Sequence, residues 1–381
     1  MNHLIGPLGS YQNTTPPSDP TTVTMSTFKA NETTVTVTWT SVAAATSYTV
    51  TFYSNTTPTT TGGTVFQTIT GATGTSQTSS NTFTTGIKYY YATVLAVNGG
   101  GSSSATTSTN VTTVFTLVSS LFLWLDAQDT TTYTLSGSNL TDPGWRDKVI
   151  DLTFKPNNGG ASNSFTSSSS YPTVTGSGAT RGIYFNNPTT PLTSNSIGLQ
   201  ANLTQTQLSL PAPNFTILTV SKDDAVNTNT TLRCLLHMKT ATTPTPSIGI
   251  FHQTTSQEGL QVIVDNSAKA IRFTTPVANS TSRIISVVVS ASNAINYQNG
   301  TVLTTSNSSY ISQTGNYNIH AIGLAASSFG SRCWSGSLNE MMVFSSNLST
   351  TDRQKAEGYL AWKWNLQASL PSGHTYRNTS P

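Results

Sequence analysis

Acid–base cleavage of a glycosidic bond needs two carboxyl groups, about 5 Å apart when one of them is the nucleophile. The chain has four glutamates, Glu32, Glu258, Glu340 and Glu357, and none has a carboxylate partner at strand spacing; Glu340 is followed by "MMVF". Nucleophilic hydrolysis is served no better. There is no G-x-S-x-G elbow, and His3, His237, His252, His320 and His374 lie in unrelated contexts. Cys234 and His237 are spaced C-x-x-H, but a closed zinc site takes four ligands and no second pair follows. The expectation is therefore no catalytic residue, no metal centre and no cofactor. Calcium is the one cation with candidate oxygens, from Asp126 and Asp129 in "LDAQD" and from Asp223 and Asp224 in "SKDD", where turn capping is the competing use. Carbohydrate recognition asks for an aromatic ring beside amide or carboxylate acceptors. Tyr297, Asn299 and Asp265, around predicted hairpin ends, are the candidates for it.

The elements that would position such residues must be built from an unusual composition. Of 381 residues only 8% are charged, against roughly 25% in an ordinary soluble domain, so hydroxyl and amide groups carry the solubility. Thr is β-branched, and Ser, Asn and Gly make turns, which points to strands and loops. The length suits two domains. The net charge of +3 comes from scattered Lys and Arg with no basic run, which excludes a phosphate-backbone footprint and hence nucleic-acid binding. No stretch of about 18 apolar residues offers a membrane span, and "MNHLIGPLGS" reads as neither a span nor a secretory signal. Two cysteines, Cys234 and Cys333, read as buried reduced thiols, with one mutual disulfide as the alternative. About 13 N-x-[ST] triplets are close to what this composition supplies by chance, so they do not establish glycosylation.

From Pro17 to Val114 the text alternates. "VTVTW" sets Val35, Val37 and Trp39 on one face, "YTVTF" sets Tyr48, Val50 and Phe52, and "KYYYATVLAVNGGGSS" sets Tyr90, Ala92, Val94 and Ala96 before a Gly-Ser turn. A Pro-rich entry, a Trp on the second strand, "SYTVTFY" on the third and Tyr-x-x-x-Val-x-Ala-x-Asn before Gly-x-Ser resemble a fibronectin type III domain over about residues 17–114. The resemblance implies a core Trp at Trp39 and a corner tyrosine at Tyr90, whose hydroxyl bonds back to the chain.

Residues 115–381 read as a second, longer sandwich. "LFLWLD", "NFTILTVSK", "GLQVIVD", "AIRFTT" and "RIISVVVSAS" are strand candidates, and Asn299-Gly300 in "AINYQNGTVL" is a two-residue hairpin turn. The one convincing helix spans 349–364, opened by Ser349 with Asp352 three residues on and closed by Asn365 and Leu370-Pro371. Ala356, Tyr359, Leu360 and Lys363 share a face, Trp362 and Trp364 flank it, and the charges are expected on the solvent side. A plug on the sandwich is the expectation, an amphipathic docking helix the alternative. "LFLWLDAQD" and "GWRDK", with Gly336, Leu338, Glu340, Leu348, Ser349, Arg353, Glu357, Gly358, Tyr359, Lys363, Trp364, Leu370, Pro371, His374 and Tyr376, resemble the laminin-G-like, concanavalin A-like jelly rolls of large DNA viruses, phages and some bacterial surface proteins. Hydrolases of that family carry Glu-x-Asp-x-x-Glu on one strand, which is absent here.

Together these readings give an all-β chain of two β-sandwiches with a short C-terminal helix. The resemblance implies a non-enzymatic virion-surface spike, fibre or minor capsid component, with other capsid or virion proteins as partners, a homo-oligomeric state and a glycan ligand. The alternative is a carbohydrate-binding adhesin at an extracellular or cell surface. Residues 1–16 are expected to be an extended arm, with Leu4, Ile5, Leu8 and Tyr11 anchoring it to a neighbour.

Overall fold

In the computed structural model the described residues are 15–26, 34–55, 59–81, 87–115, 120–157, 171–187, 197–201, 210–211, 214–224, 233–240, 247–252, 259–264, 267–270, 281–291, 293–303, 316–324, 333–379 and 381. The chain divides into two compact units, Met1–Thr116 and Leu117–Pro381. The arm residues Leu4, Ile5, Leu8 and Tyr11 lie outside the described residues.

The first unit is built from β1 (Thr24–Met25), β2 (Thr36–Thr38), β3 (Ser47–Asn55), β4 (Thr64–Ala72), β5 (Ser76–Thr78), β6 (Ile87–Asn98), β7 (Gly101–Ser102), β8 (Thr106–Thr107) and β9 (Thr112–Phe115). One sheet runs β1-β2-β5; the other runs β4-β3-β6-β7, with β8 and β9 also on β6. Period-two patterning decides what is inside. Val35, Val37, Trp39, Tyr48, Val50, Phe52, Tyr90, Ala92, Val94 and Ala96 are all buried, as their alternation predicts. Trp39 meets Tyr48 edge-on at 5.1 Å, and the Tyr48 hydroxyl accepts the Val42 N–H at 2.8 Å. Tyr90 is enclosed beside Phe66, 5.0 Å away, and burial pushes its hydroxyl up to about 12.

The second unit contains β10 (Leu121–Asp126), β11 (Tyr133–Ser136), β12 (Asn139–Arg146), β13 (Thr153–Asn157), β14 (Thr173–Thr175), β15 (Gly182–Phe185), β16 (Gly198–Ala201), β17 (Leu210–Pro211), β18 (Phe215–Asp223), β19 (Arg233–Thr240), β20 (Ser247–His252), β21 (Gly259–Val264), β22 (Ser267–Ala270), β23 (Arg283–Val289), β24 (Ala294–Gln298), β25 (Thr301–Val302), β26 (Asn316–Ile322), β27 (Gly336–Phe344) and the helix α1 (Thr350–Lys363). Strand pairing is continuous through the unit. It resolves into two antiparallel layers: β25-β24-β23-β18-β27 with β10 and β15 on the far edge of β27, and β22-β21-β20-β19-β26-β16-β13-β12-β11. Asn139 on β12 pairs with Thr173 on β14 and joins them. Cys234 and Cys333 are buried and form no disulfide.

Every residue of β18 except Lys222 is buried. A strand sealed on both faces needs a cover on each side, and α1 supplies the outer one. Ser349 caps it, its hydroxyl accepting the Asp352 N–H at 3.1 Å, and Asn365 leaves it with a left-handed φ of 57°. Gly358 sits within the helix for a steric reason: a Cβ there would lie 2.5 Å from the Cβ of Tyr376 in the returning tail.

The expected orientation of the helix charges is wrong. Arg353, Glu357 and Lys363 are buried, not solvent-facing. The helix turns them to the sheet because the sheet offers partners there, and burial of a charge is tolerated when it is paired and hydrogen-bonded. With eight of its residues buried, the helix is a cover of the unit's own sheet and not a free docking helix.

Candidate functional site

Two charged networks lie beneath α1. Register puts Trp124, Met342, Leu218, Ser286 and Tyr297 in one cross-sheet row, and Asp126, Glu340, Val220, Ile284 in the next. In the second row Asp126 stands directly opposite Glu340, a carboxylate pair assembled from strands more than 200 positions apart in sequence. The Lys363 ammonium bridges them, 2.7 Å from Asp126 and 2.8 Å from Glu340. Glu340 also accepts the indole N–H groups of Trp124 at 2.7 Å and Trp364 at 2.5 Å, and the Tyr359 hydroxyl at 3.0 Å. Lys148 approaches Asp126 at 3.4 Å and Asp129 at 3.0 Å, its ammonium 4.0 Å from the Trp124 ring centre.

Burial pushes the Asp126 carboxyl up, but Lys363 and Lys148 outweigh it and hold the group below its ordinary range. Burial lifts Glu340 above its ordinary value, with Lys363 opposing and Asp126 reinforcing the shift. Burial alone would lower Lys363, yet the two carboxylates keep it above its ordinary value and charged. Glu340 is 0% exposed. A carboxylate that is sealed, salt-bridged and holding three neutral donors is committed to structure.

The second network joins helix, sheet and tail. Arg353 donates to both oxygens of Glu357 at 2.7 and 2.6 Å, Ser286 donates to it at 2.7 Å, and His374 Nε2 lies 3.2 Å from it. The Arg353 guanidinium sits 3.6 Å from the ring centre of Tyr297. Tyr297 therefore has one face occupied. Asn299 starts the hairpin turn with φ 48°, and its side-chain oxygen accepts the Ile284 N–H at 2.8 Å. A Cβ at Gly300 would lie 2.8 Å from the His374 ring, so the tail packs on this turn. Tyr297 and Asn299 are thus brought together with helix and tail, while Asp265 lies outside the described residues.

The calcium candidates have other partners. Asp126 and Asp129 face lysines, and Asp129 also accepts the Thr131 N–H at 3.2 Å as a cap. Asp223 pairs with Arg283 at 2.5 Å and accepts the Trp334 indole N–H, while Asp224 accepts the Tyr184 hydroxyl at 3.0 Å and that of Ser335. Among the described residues no group of three or more His, Cys, Asp or Glu is arranged to hold a metal ion.

One surface with repeated polar groups lies in the first unit. Thr51 on β3 pairs with Thr68 on β4 and with Thr93 on β6, and Thr93 pairs with Thr107 on β8. These threonines form one row across β4-β3-β6-β8, on the face opposite the buried Val50, Phe52, Ala92 and Val94. At strand spacing the row is about 14 Å long. Thr68 and Thr107 are exposed, and the hydroxyls of Thr51 and Thr68 are 3.3 Å apart. Thr49 and Leu95 flank the row on one side, Tyr53 and Tyr91 on the other, the two rings stacked at 4.8 Å. The face carries no charge, and between Glu32 and Asp126 the sequence has a single charged residue, Lys88. Sequence reasoning passed over this row. The alternating threonines of "YTVTF" and "FQTIT" were the available signal, but their alignment depends on register.

No family model matches the chain, and no curated protein matches it. Solved structures do. Domain 4 of AbnA, an extracellular arabinanase of Geobacillus stearothermophilus in complex with arabinotriose, is 12% identical with a TM-score of 0.40, covering 61% of this chain and 96% of its own. The CBM40 domain of the Ruminococcus gnavus IT-sialidase bound to α2,3-sialyllactose is 14% identical with a TM-score of 0.34, covering 45% of this chain and 93% of its own. A Trypanosoma rangeli sialidase is 8% identical with a TM-score of 0.36, covering 69% of this chain and 42% of its own. No helix among the described residues is long and apolar enough to cross a membrane.

Proposed function

We propose that the chain is a non-catalytic, extracellular glycan-binding protein whose first unit takes a neutral polysaccharide on the threonine face. The row Thr68–Thr51–Thr93–Thr107 carries the proposal. Each hydroxyl both donates and accepts, so a row of them meets sugar hydroxyls in either sense, and Leu95 and Tyr53 supply apolar contact for sugar C–H groups. A face without ions also has no charge to desolvate when a neutral ligand covers it. The non-catalytic part of the reading rests on Asp126 and Glu340, the opposed carboxylates, being sealed under α1 and bridged by Lys363.

A glycan microarray with neutral and acidic polymers tests the proposal. Retention on neutral hexose or N-acetylhexosamine polymers is expected; retention confined to acidic glycans, or none, would sink it. The narrower role of a virion spike, fibre or minor capsid component, with capsid partners and a homo-oligomeric state, is supported by the closing-motif resemblance alone. Mass spectrometry of purified particles tests that role.

A further inference from the structure

The threonine row has a direction and a pitch, and both restrict which neutral glycan fits it. Along β3 the outward positions read Thr49, Thr51, Tyr53, so the chemistry changes along the strand, where outward residues stand about 6.8 Å apart. Across the strands it stays the same: Thr68, Thr51, Thr93 and Thr107 come one each from β4, β3, β6 and β8. A ligand built of identical units finds identical partners only by crossing the strands. Neighbouring strands are about 4.8 Å apart, close to the advance per sugar of a fully extended β-1,4-linked chain. Chains linked α-1,4 or β-1,3 coil and do not keep that straight pitch.

Successive sugars of an extended β-1,4-linked chain are turned over, so the edge that meets the row alternates. A threonine hydroxyl both donates and accepts, and it serves either edge. The row is bordered by apolar surface. Val65, 57% exposed, stands opposite Tyr53 in the β3–β4 register. The Tyr53 ring lies on that of Tyr91 at an interplanar angle of 5°, and the Tyr91 hydroxyl accepts the Gly63 N–H at 3.2 Å. The border is therefore held in place before any ligand arrives. An extended pyranose ribbon carries hydroxyls at its edges and C–H groups on its faces, which matches a polar row beside an apolar border.

We infer, building on the assignment of this face to a neutral glycan, that its occupant is an extended β-1,4-linked chain of glucose or N-acetylglucosamine units lying across β4-β3-β6-β8, one sugar to each threonine. The row ends at Thr68 on β4 and at Thr107 on β8, and among the described residues neither strand pairs with a further one on its outer side. Four threonines then hold four sugars, and a fifth meets no further hydroxyl of the row.

The test uses the full chain. Isothermal titration calorimetry is run with soluble cello- and chito-oligosaccharides of two to six sugars, and with malto- and laminari-oligosaccharides of the same lengths as linkage controls. Affinity for a β-1,4-linked series should rise by about 2–10-fold with each sugar up to four, one hydrogen bond at a time, and then level off. Thr107→Val keeps the shape of an exposed side chain and removes one hydroxyl from the end of the row, so the plateau should move from four sugars to three. Equal or tighter binding of the α-1,4- or β-1,3-linked series, or a plateau unmoved by Thr107→Val, would overturn the inference while leaving a neutral-glycan site on this face. No binding in any series, together with no retention on any neutral polymer of the microarray, would overturn both.

Discussion

Asp126 and Glu340 face each other across the β10–β27 ladder and share one ammonium, that of Lys363. Two carboxylates of this kind, reached by a hydrolase's substrate, would be a candidate acid and nucleophile. Sealed beneath α1, they are one of the two networks that fasten the helix to its sheet.

Lys363→Met should therefore be strongly destabilising, because it leaves buried Glu340 without a cation and Asp126 with only Lys148, at 3.4 Å. A loss of about 3–5 kcal/mol is expected, read as a shift of the denaturant midpoint of the second unit. A loss below about 1 kcal/mol would show that the ammonium is dispensable.

Trp364→Phe separates the indole N–H from the ring's bulk. Its hydrogen bond goes to a carboxylate, so about 1.5–3 kcal/mol should be lost, whereas Trp364→Ala should cost about 3–5 kcal/mol through the cavity as well. Equal losses in the two variants would contradict the assignment of Trp364 to both core and network.

Trp39, Val50 and Phe52 are buried as their period-two spacing requires, and Ser349 and Asn365 bound the helix as their side chains predict. Such features are local. Lys363, Glu340 and Asp126 meet only through register, and amphipathic patterning assigns any charged helix residue to water by default. The missing signal was scarcity: in a chain only 8% charged, Arg353, Glu357 and Lys363 on a single helix are more than solubility needs. Tyr297 and Asn299 lie at the hairpin that Asn299-Gly300 predicts, but the tail that packs on Gly300 arrives from residue 374.

Asp147 gives the second unit a pH signature. Burial lifts its carboxyl to about 6 against the amides of Trp124, Val149 and Ile150, which it accepts. Its folded value lies above the unfolded value of about 3.9, so the contribution is present below about pH 4 and lost as pH rises through 6, by about 3 kcal/mol. Asp126 acts in the opposite sense, since its folded value is depressed: its contribution is fully present above the unfolded value of about 3.9 and is lost as pH falls from there through the lower folded value. Melting curves from pH 4 to 7 should show the declining limb, to which the raised Glu340 also contributes, and Asp147→Asn should make it shallower. An unchanged slope in the variant would assign the limb to another group.

The threonine face is tested most directly by a depletion isotherm of the full chain on insoluble neutral polysaccharides, chitin and a β-glucan among them. The isotherm is compared with that of the double variant Thr51→Lys with Thr93→Lys, which places two ammonium groups in the row without touching the core. The account predicts saturable binding of the unaltered chain, insensitive to salt, and a loss of at least about tenfold in the variant, roughly 1.4 kcal/mol. Saturable binding that survives both lysines would contradict the assignment of the ligand to this face.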